Sequence, residues 1–138
     1  MPEESAMPDL KERVKGLVEA NSTRDFDVIM SFYAPHAVAS GIGTGVYEGH
    51  AEIRPAYEDW MGIYEDFDCT AEQIRDLGNG VLFAVTLSRG RLAGAVGWLQ
   101  ARLVLVMIWA DGLLEQITNY TDIDKGRAAA ERLAEERG

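Results

Sequence analysis

Apolar residues recur at helical spacing in three stretches of the first half of the chain. An amphipathic helix over about residues 9–20 is predicted by Leu10, Val14, Leu17 and Val18. A short second helix follows, with Ser22 or Thr23 as its N-cap, and it ends before Pro35 because the residue preceding a proline avoids helical geometry. A third helix starts near residue 50, and the large side chains that it is expected to bury are Ile53, Tyr57, Trp60, Met61 and Tyr64.

From Phe67 onward the pattern alternates as in β-strands. We predict strands over residues 67–77, 81–89, 98–109 and 113–121, and a short earlier strand over 37–40. Turn signals at residues 78–80 (Gly-Asn-Gly) and 110–112 (Ala-Asp-Gly) separate the neighbouring strands. A last helix is predicted over about 124–136, with Asp122 as its N-cap.

This order of elements predicts a single α+β domain over residues 1–138, in which residues 1–8 form a flexible N-terminus. Three to four helices are expected to cover one face of a curved antiparallel sheet. Such a sheet encloses a cone, and a cone of this kind tends to hold a small-molecule cavity.

Acidic residues dominate the composition but avoid the predicted sheet. The formal net charge is −10, which argues against nucleic acid or an anionic membrane surface as a partner. Residues 48–76 carry nine acidic side chains, whereas residues 77–110 carry none. The apolar stretch 92–110 is no membrane span, because Gln100 and Arg102 lie in its middle. The N-terminal residues resemble no signal peptide, so we expect a cytoplasmic protein.

The sequence contains no recognised cofactor-binding or metal-binding motif. Cys69 is a single cysteine, which we interpret as a small core residue. His50 lies among glutamates but without a recognised ligand spacing, and the glycines of residues 41–45 do not connect a strand to a long helix. We therefore expect neither a metal ion nor another cofactor.

Three segments, in their order and spacing, carry a resemblance to a known family. They are TRDFDVIMSFYAPHA over residues 23–37, GHAEIR over 49–54, and WADG with ITNYTD over 109–112 and 117–122. On these segments the chain resembles the nuclear transport factor 2-like superfamily and, within it, the SnoaL-like group. The resemblance implies a cone-shaped α+β roll that commonly forms a homodimer through the outer face of its sheet.

The same superfamily includes ketosteroid isomerases and limonene-type epoxide hydrolases, whose catalytic residues are mostly replaced here. The general base, the oxyanion tyrosine and the protonated aspartate of the isomerases correspond to Gly41, Leu17 and about Leu105. The Asp-Arg-Asp set of the hydrolases corresponds to Thr86, Ser88 and Asn119. These three can orient a ligand by hydrogen bonds, but none is a strong base at neutral pH.

Two hypotheses about function remain open. In the first, a SnoaL-like protein binds a hydrophobic metabolite in an apolar cavity, either as a binder alone or as an enzyme of isomerase, cyclase or hydrolase type, without the usual catalytic carboxylates. Its expected ligand-binding residues are Thr86, Ser88, Asn119, Tyr57, Trp60, Met61, Tyr64, Leu103 and Leu105. In the second, the chain is a non-catalytic, dimer-forming module whose cone is mostly packed by the same side chains.

An apolar strip is also predicted on the outer face of the sheet. The side chains expected to point outward from the third long strand are Trp98, Gln100, Arg102, Val104, Val106 and Ile108. An uncovered apolar strip on a monomer would face water, and a symmetric homodimer is the simplest way to bury it.

Overall fold

The computed structural model describes residues 9–42 and 45–138, and the expected flexible N-terminus over 1–8 lies outside them. Four helices are present in the described residues: α1 (Leu10–Thr23), α2 (Phe26–Ser31), α3 (His50–Gly62) and α4 (Ile123–Arg137). None of these helices is long and apolar enough to span a membrane.

Six strands form one curved sheet in the order β2-β1-β6-β5-β4-β3. Their bounds are β1 (Tyr33–Ile42), β2 (Gly45–Glu48), β3 (Tyr64–Gly78), β4 (Val81–Leu92), β5 (Leu99–Ala110) and β6 (Leu113–Tyr120). Neighbours pair antiparallel except β1 and β6, which run parallel. The predicted α+β class with a curved sheet is confirmed, and this parallel pair is its one departure from the antiparallel expectation.

Polar side chains cap the helices where the sequence offers them. Asp9 accepts hydrogen bonds from the first turn of α1, and Asp122 accepts one from the Lys125 N–H of α4, as predicted. The N-cap of α2 is Asp25 rather than Ser22 or Thr23. Helix α1 runs on to Thr23, and Ser22 uses its hydroxyl to hold the backbone of Cys69 on β3.

The principal core lies between the concave face of the sheet and helices α1, α2 and α3. Alternate residues of β4 and β5, such as Leu82, Ala84 and Met107, point into it and are fully buried. Leu17 of α1 and Ile53 of α3 pack against them. The period-2 alternation of the strands and the helical spacing of the α-segments therefore meet in one apolar layer.

A second core lies on the outer face, under helix α4. Its buried members are Val81, Phe83, Val85, Val104, Val106 and Ala130. Val104 and Val106 do point outward as predicted, but α4 covers them, so the prediction of an uncovered apolar strip is wrong at these positions. Gly126 allows this close approach, because a Cβ atom there would meet the Val104 side chain.

Strands β1 and β3 start earlier than the sequence predicts, and strand β2 was not predicted. Strand β1 starts at Tyr33 rather than Ala37, and Pro35 lies where its register with β6 is interrupted, so no ladder N–H is required of it. Tyr64 belongs to β3, opposite Leu92, and not to helix α3, which ends at Gly62. Its side chain nevertheless reaches the region expected for it.

Candidate functional site

The cone is open at one end, where it contains a cavity of about 320 Å³. We call this space the mouth cavity. It lies between the end of helix α3, the first half of β3, the second half of β4 and the first half of β5. Its wall is formed by Gly41, Tyr57, Trp60, Tyr64, Phe67, Ser88, Gly90, Leu99, Gln100, Ala101, Leu103 and Asn119. Its volume is in the range of pockets that hold small organic molecules.

A deeper and much smaller space of about 20 Å³ continues toward the closed end. This inner lobe has room for about one water molecule. Tyr57, Trp60, Phe67, Ser88, Leu103 and Asn119 line both spaces, so the two are continuous in their walls. The residues that line the inner lobe alone are Leu17, Asn21, Tyr33, Cys69, Thr86, Leu105 and Ile117.

The fold brings together eight of the nine residues that the sequence singled out. Those on the mouth cavity are Tyr57, Trp60, Tyr64, Ser88, Leu103 and Asn119, and those on the inner lobe alone are Thr86 and Leu105. Met61 is fully buried in the core and lines neither space. Met61 lies on the same helical stripe as Tyr57 and Trp60, but it packs into the core rather than against the open space.

Four rings form one wall of the cavity by edge-to-face and tilted contacts. The Trp60 and Phe67 ring centroids are 5.6 Å apart, as are those of Tyr64 and Phe67, and Tyr57 lies 6.5 Å from Trp60. Phe67 was not among the residues expected to line the cavity. Its period-2 spacing from Cys69 was the available signal that the two share the inner face of β3.

The three small polar residues already direct their donors to protein groups. Thr86 Oγ1 donates to the Leu103 carbonyl at 3.3 Å, and Asn119 Nδ2 donates to the Ser40 carbonyl at 3.1 Å. Ser88 Oγ lies 3.6 Å from the Cys69 sulfur. The oxygen atoms of Thr86, Ser88 and Asn119 retain acceptor capacity, and Asn119 also keeps a second amide N–H, so the wall offers a ligand more acceptors than donors.

Titratable side chains at the cavity are neutral at physiological pH. Within the described residues, neither space is lined by Asp, Glu, His, Lys or Arg. Burial raises the pKa of the Cys69 thiol, which keeps it protonated. Four of the acids of β3 pair instead with arginines of β4 and β5, as in Glu72 with Arg102 at 2.6 Å. The wall therefore offers hydrogen bonds and apolar contact, and no carboxylate base.

Tyr33 and Tyr57 form a buried hydroxyl pair at the inner lobe, with their oxygens 2.6 Å apart. Burial raises the pKa of Tyr57 to about 12 and also raises the pKa of Tyr33 well above its usual value. Both phenols are therefore neutral hydrogen-bonding groups throughout the physiological range. Tyr33 falls within the span predicted for the second helix and was not among the residues expected at the cavity.

Because of this tyrosine pair, the free energy of unfolding depends on pH in the alkaline range. In the unfolded chain tyrosine ionises near pH 10, whereas in the native protein Tyr57 stays neutral to about pH 12. Its contribution is fully present below pH 10 and is lost as the pH rises toward 12. We expect Tyr57→Phe to lose stability less steeply over that interval, as measured by urea denaturation at several pH values. Parallel pH curves for the variant and the parent would contradict this assignment.

Comparison with known proteins gives a family match and similar folds. The SnoaL-like domain family model matches residues 14–117, and no curated protein sequence matches the chain. A ketosteroid isomerase-like protein from Catenulispora acidiphila in complex with trimethylamine is 11% identical, with a TM-score of 0.73 over 86% of this chain and 92% of that one.

Two further structures are similar at comparable coverage. TerC, co-crystallised with polyporic acid, is 16% identical with a TM-score of 0.69 over 90% of this chain and 96% of its own. An epoxide hydrolase of the limonene type from M. tuberculosis is 14% identical with a TM-score of 0.68 over 93% and 96%. At these identities the structures establish the fold, while the family model covers most of the chain. The chain therefore belongs to the SnoaL-like domain family.

Proposed function

We propose that this protein binds a small hydrophobic molecule in the mouth cavity. The observation that carries the proposal is an open space of about 320 Å³ whose wall combines four aromatic rings with a few polar side chains. Apolar walls with a small number of oriented polar groups are typical of small-molecule sites. Proteins of the same fold have been crystallised with trimethylamine and with polyporic acid, which supports a cavity used for ligands.

The proposed role of the polar residues is to orient the ligand. Ser88 and Asn119 lie on the wall of the mouth cavity and Thr86 lies deeper, so each can accept a hydrogen bond from a polar group on an otherwise apolar molecule. If the protein also catalyses an isomerase, cyclase or hydrolase reaction, these residues act by positioning and polarising the substrate. No Asp or Glu is present among the described residues of the wall to act as a general base.

The second hypothesis, a mostly packed cone in a non-catalytic module, fits the closed end of the cone. There Leu17, Ile53 and Met107 are fully buried, and only the inner lobe of about 20 Å³ is left open. The open end carries the larger space, and we therefore favour the binding function. The two hypotheses differ in whether an apolar compound is retained.

Titration with 2-methylnaphthalene tests the proposal directly. Its two fused rings are apolar and carry no hydrogen-bonding group, so its binding reports the aromatic cavity alone. We expect saturable quenching of Trp60 fluorescence and a one-to-one complex by native mass spectrometry, with a dissociation constant in the micromolar range. Absence of saturable binding up to the solubility limit would instead support the packed module.

A homodimer through the outer face of the sheet is the proposed assembly. Helix α4 covers part of that face, so the surface available to a second copy is the remainder, which carries Arg89 and Arg102. Trp98 lies at its edge, 47% exposed and beneath the Arg89 guanidinium at 5.0 Å. Exposed aromatic and arginine side chains are enriched at protein interfaces.

Sedimentation velocity tests this assembly at micromolar concentration. We expect a dimer for the parent protein and a shift toward monomer for Trp98→Glu, because a carboxylate would be buried at the interface. Val96→Glu, a change at a fully exposed neighbouring position, is the matched control and should leave the dimer intact. A monomeric parent protein would refute the proposal.

The proposed location is the cytoplasm. Cys69 is a free, buried thiol, and reducing compartments keep such thiols unoxidised.

A further inference from the structure

Asn21 presents an unsatisfied acceptor at the closed end of the cavity. Its side chain leaves the last turns of helix α1 and lines the inner lobe. The Oδ1 atom is buried and has no hydrogen-bond partner among the described residues. A buried carbonyl oxygen without a donor costs folding free energy, and a donor that reaches it from the inner lobe would remove this cost.

The Tyr33–Tyr57 pair presents the complementary group. Two hydroxyls joined by one hydrogen bond of 2.6 Å use only one of their two protons between them. The hydrogen bonds formed within residues 9–42 and 45–138 give the second proton no protein acceptor. Both rings line the same inner lobe as Asn21. The lobe therefore contains one free donor and one free acceptor.

A hydroxyl group on a ligand carries both complementary functions. Its proton suits the Asn21 Oδ1 acceptor and its oxygen suits the free proton of the tyrosine pair, whereas a carbonyl or ether oxygen can only accept. The inner lobe, at about 20 Å³, has room for a single oxygen-sized group but not for a ring. The apolar body of the ligand would remain in the mouth cavity, beside Trp60 and Phe67.

We propose that the inner lobe is a hydroxyl-recognition site, and that the ligand is an aromatic or alicyclic molecule with a hydroxyl group at its buried end. This inference rests on the proposed binding function and names the ligand class for that same cavity. The residues that would form hydrogen bonds with the hydroxyl are Asn21, Tyr33 and Tyr57. The acceptor oxygens of Thr86, Ser88 and Asn119 along the wall favour the same class, a ligand that brings its own donors.

The test compares 2-naphthol with 2-methylnaphthalene, which differ only by a hydroxyl in place of a methyl group. The measured quantity is the ratio of their dissociation constants, methyl over hydroxyl, from Trp fluorescence titration. We expect this ratio to fall by about tenfold when Asn21→Leu removes the acceptor. Asn21→Ala, which avoids added bulk, should lower the ratio in the same direction. Glu19→Leu, on the exposed side of the same helix, is the matched control and should keep the parental ratio.

The outcomes separate this inference from the proposed function. If 2-methylnaphthalene binds but the ratio is the same in the parent, Asn21→Leu and Asn21→Ala proteins, the hydroxyl site is wrong and the binding function stands. If neither compound binds the parent protein, the binding function is wrong and the hydroxyl site falls with it. A tenfold lower ratio in the Asn21 variants, with Glu19→Leu unchanged, supports both.

Discussion

Ala101→Phe is expected to reduce the affinity for 2-methylnaphthalene by at least about tenfold. Ala101 lies on the wall of the mouth cavity, opposite Ser88 in the β4–β5 ladder. A phenyl ring at this position would fill space that the ligand needs. The side chain is exposed and borders open volume rather than packed core, so the ring can be accommodated without displacing buried neighbours. We therefore expect the loss of binding without a matching loss of stability.

Two measurements make this result specific. Thermal unfolding of Ala101→Phe should give a midpoint within a few degrees of the parent, which shows that the fold is retained. Ala93→Phe adds the same ring in the turn after β4, at an exposed residue that does not line the cavity, and should bind as the parent does. Unchanged affinity in Ala101→Phe would place the binding site elsewhere than in the mouth cavity.

Gly126→Leu is expected to lower the free energy of unfolding by about 1–2 kcal/mol. A Cβ atom at this position would collide with the Val104 side chain and approach Tyr120 Cβ to 3.5 Å. Overpacking of this kind costs about 1–3 kcal/mol, and the branched, buried Val104 has little freedom to move away. Replacement of a helical glycine returns about 1 kcal/mol through backbone entropy, so steric exclusion is the larger effect when a full leucine side chain is added.

The control for this prediction lies on the same helix. Ala128 is exposed, so Ala128→Leu leaves the packing of α4 on the sheet unchanged. Alanine and leucine also have similar helix propensities. Urea denaturation should give this variant a stability within about 0.5 kcal/mol of the parent. Equal stabilities of Gly126→Leu and Ala128→Leu would show that α4 is not held closely against the outer face.

Several residues of the site could be predicted from the periodicity of apolar and polar residues within single elements. The alternation in β4 and β5 indicated that Thr86, Ser88 and Leu103 share one face, and the ladder confirms that Thr86 lies opposite Leu103. The spacing within α3 placed Tyr57 and Trp60 toward the sheet. These assignments succeeded because a strand repeats every two residues and a helix every 3.6, so one face can be recognised within a single element.

Other parts of the site depend on contacts between distant segments. Asn21, Tyr33 and Tyr57 come from α1, β1 and α3, and nothing local marks Asn21 as a buried acceptor. Tyr64 was assigned to the wrong element, yet its position just after α3 still brings it to the cavity. Which side chains share a cavity is decided by how the elements pack, and that information is spread over the whole chain.

The sequence by itself determined the class of the domain, most of the elements that form its cone and eight of the residues that line its two spaces, because these follow from local periodicity, turns and caps. The tertiary structure alone decided that α4 returns to the outer face and covers Val104 and Val106. It also decided that the cone is filled at one end and open at the other. Both outcomes depend on whether side-chain volumes from remote segments fit together, and close packing is a property of the assembled fold rather than of any one segment.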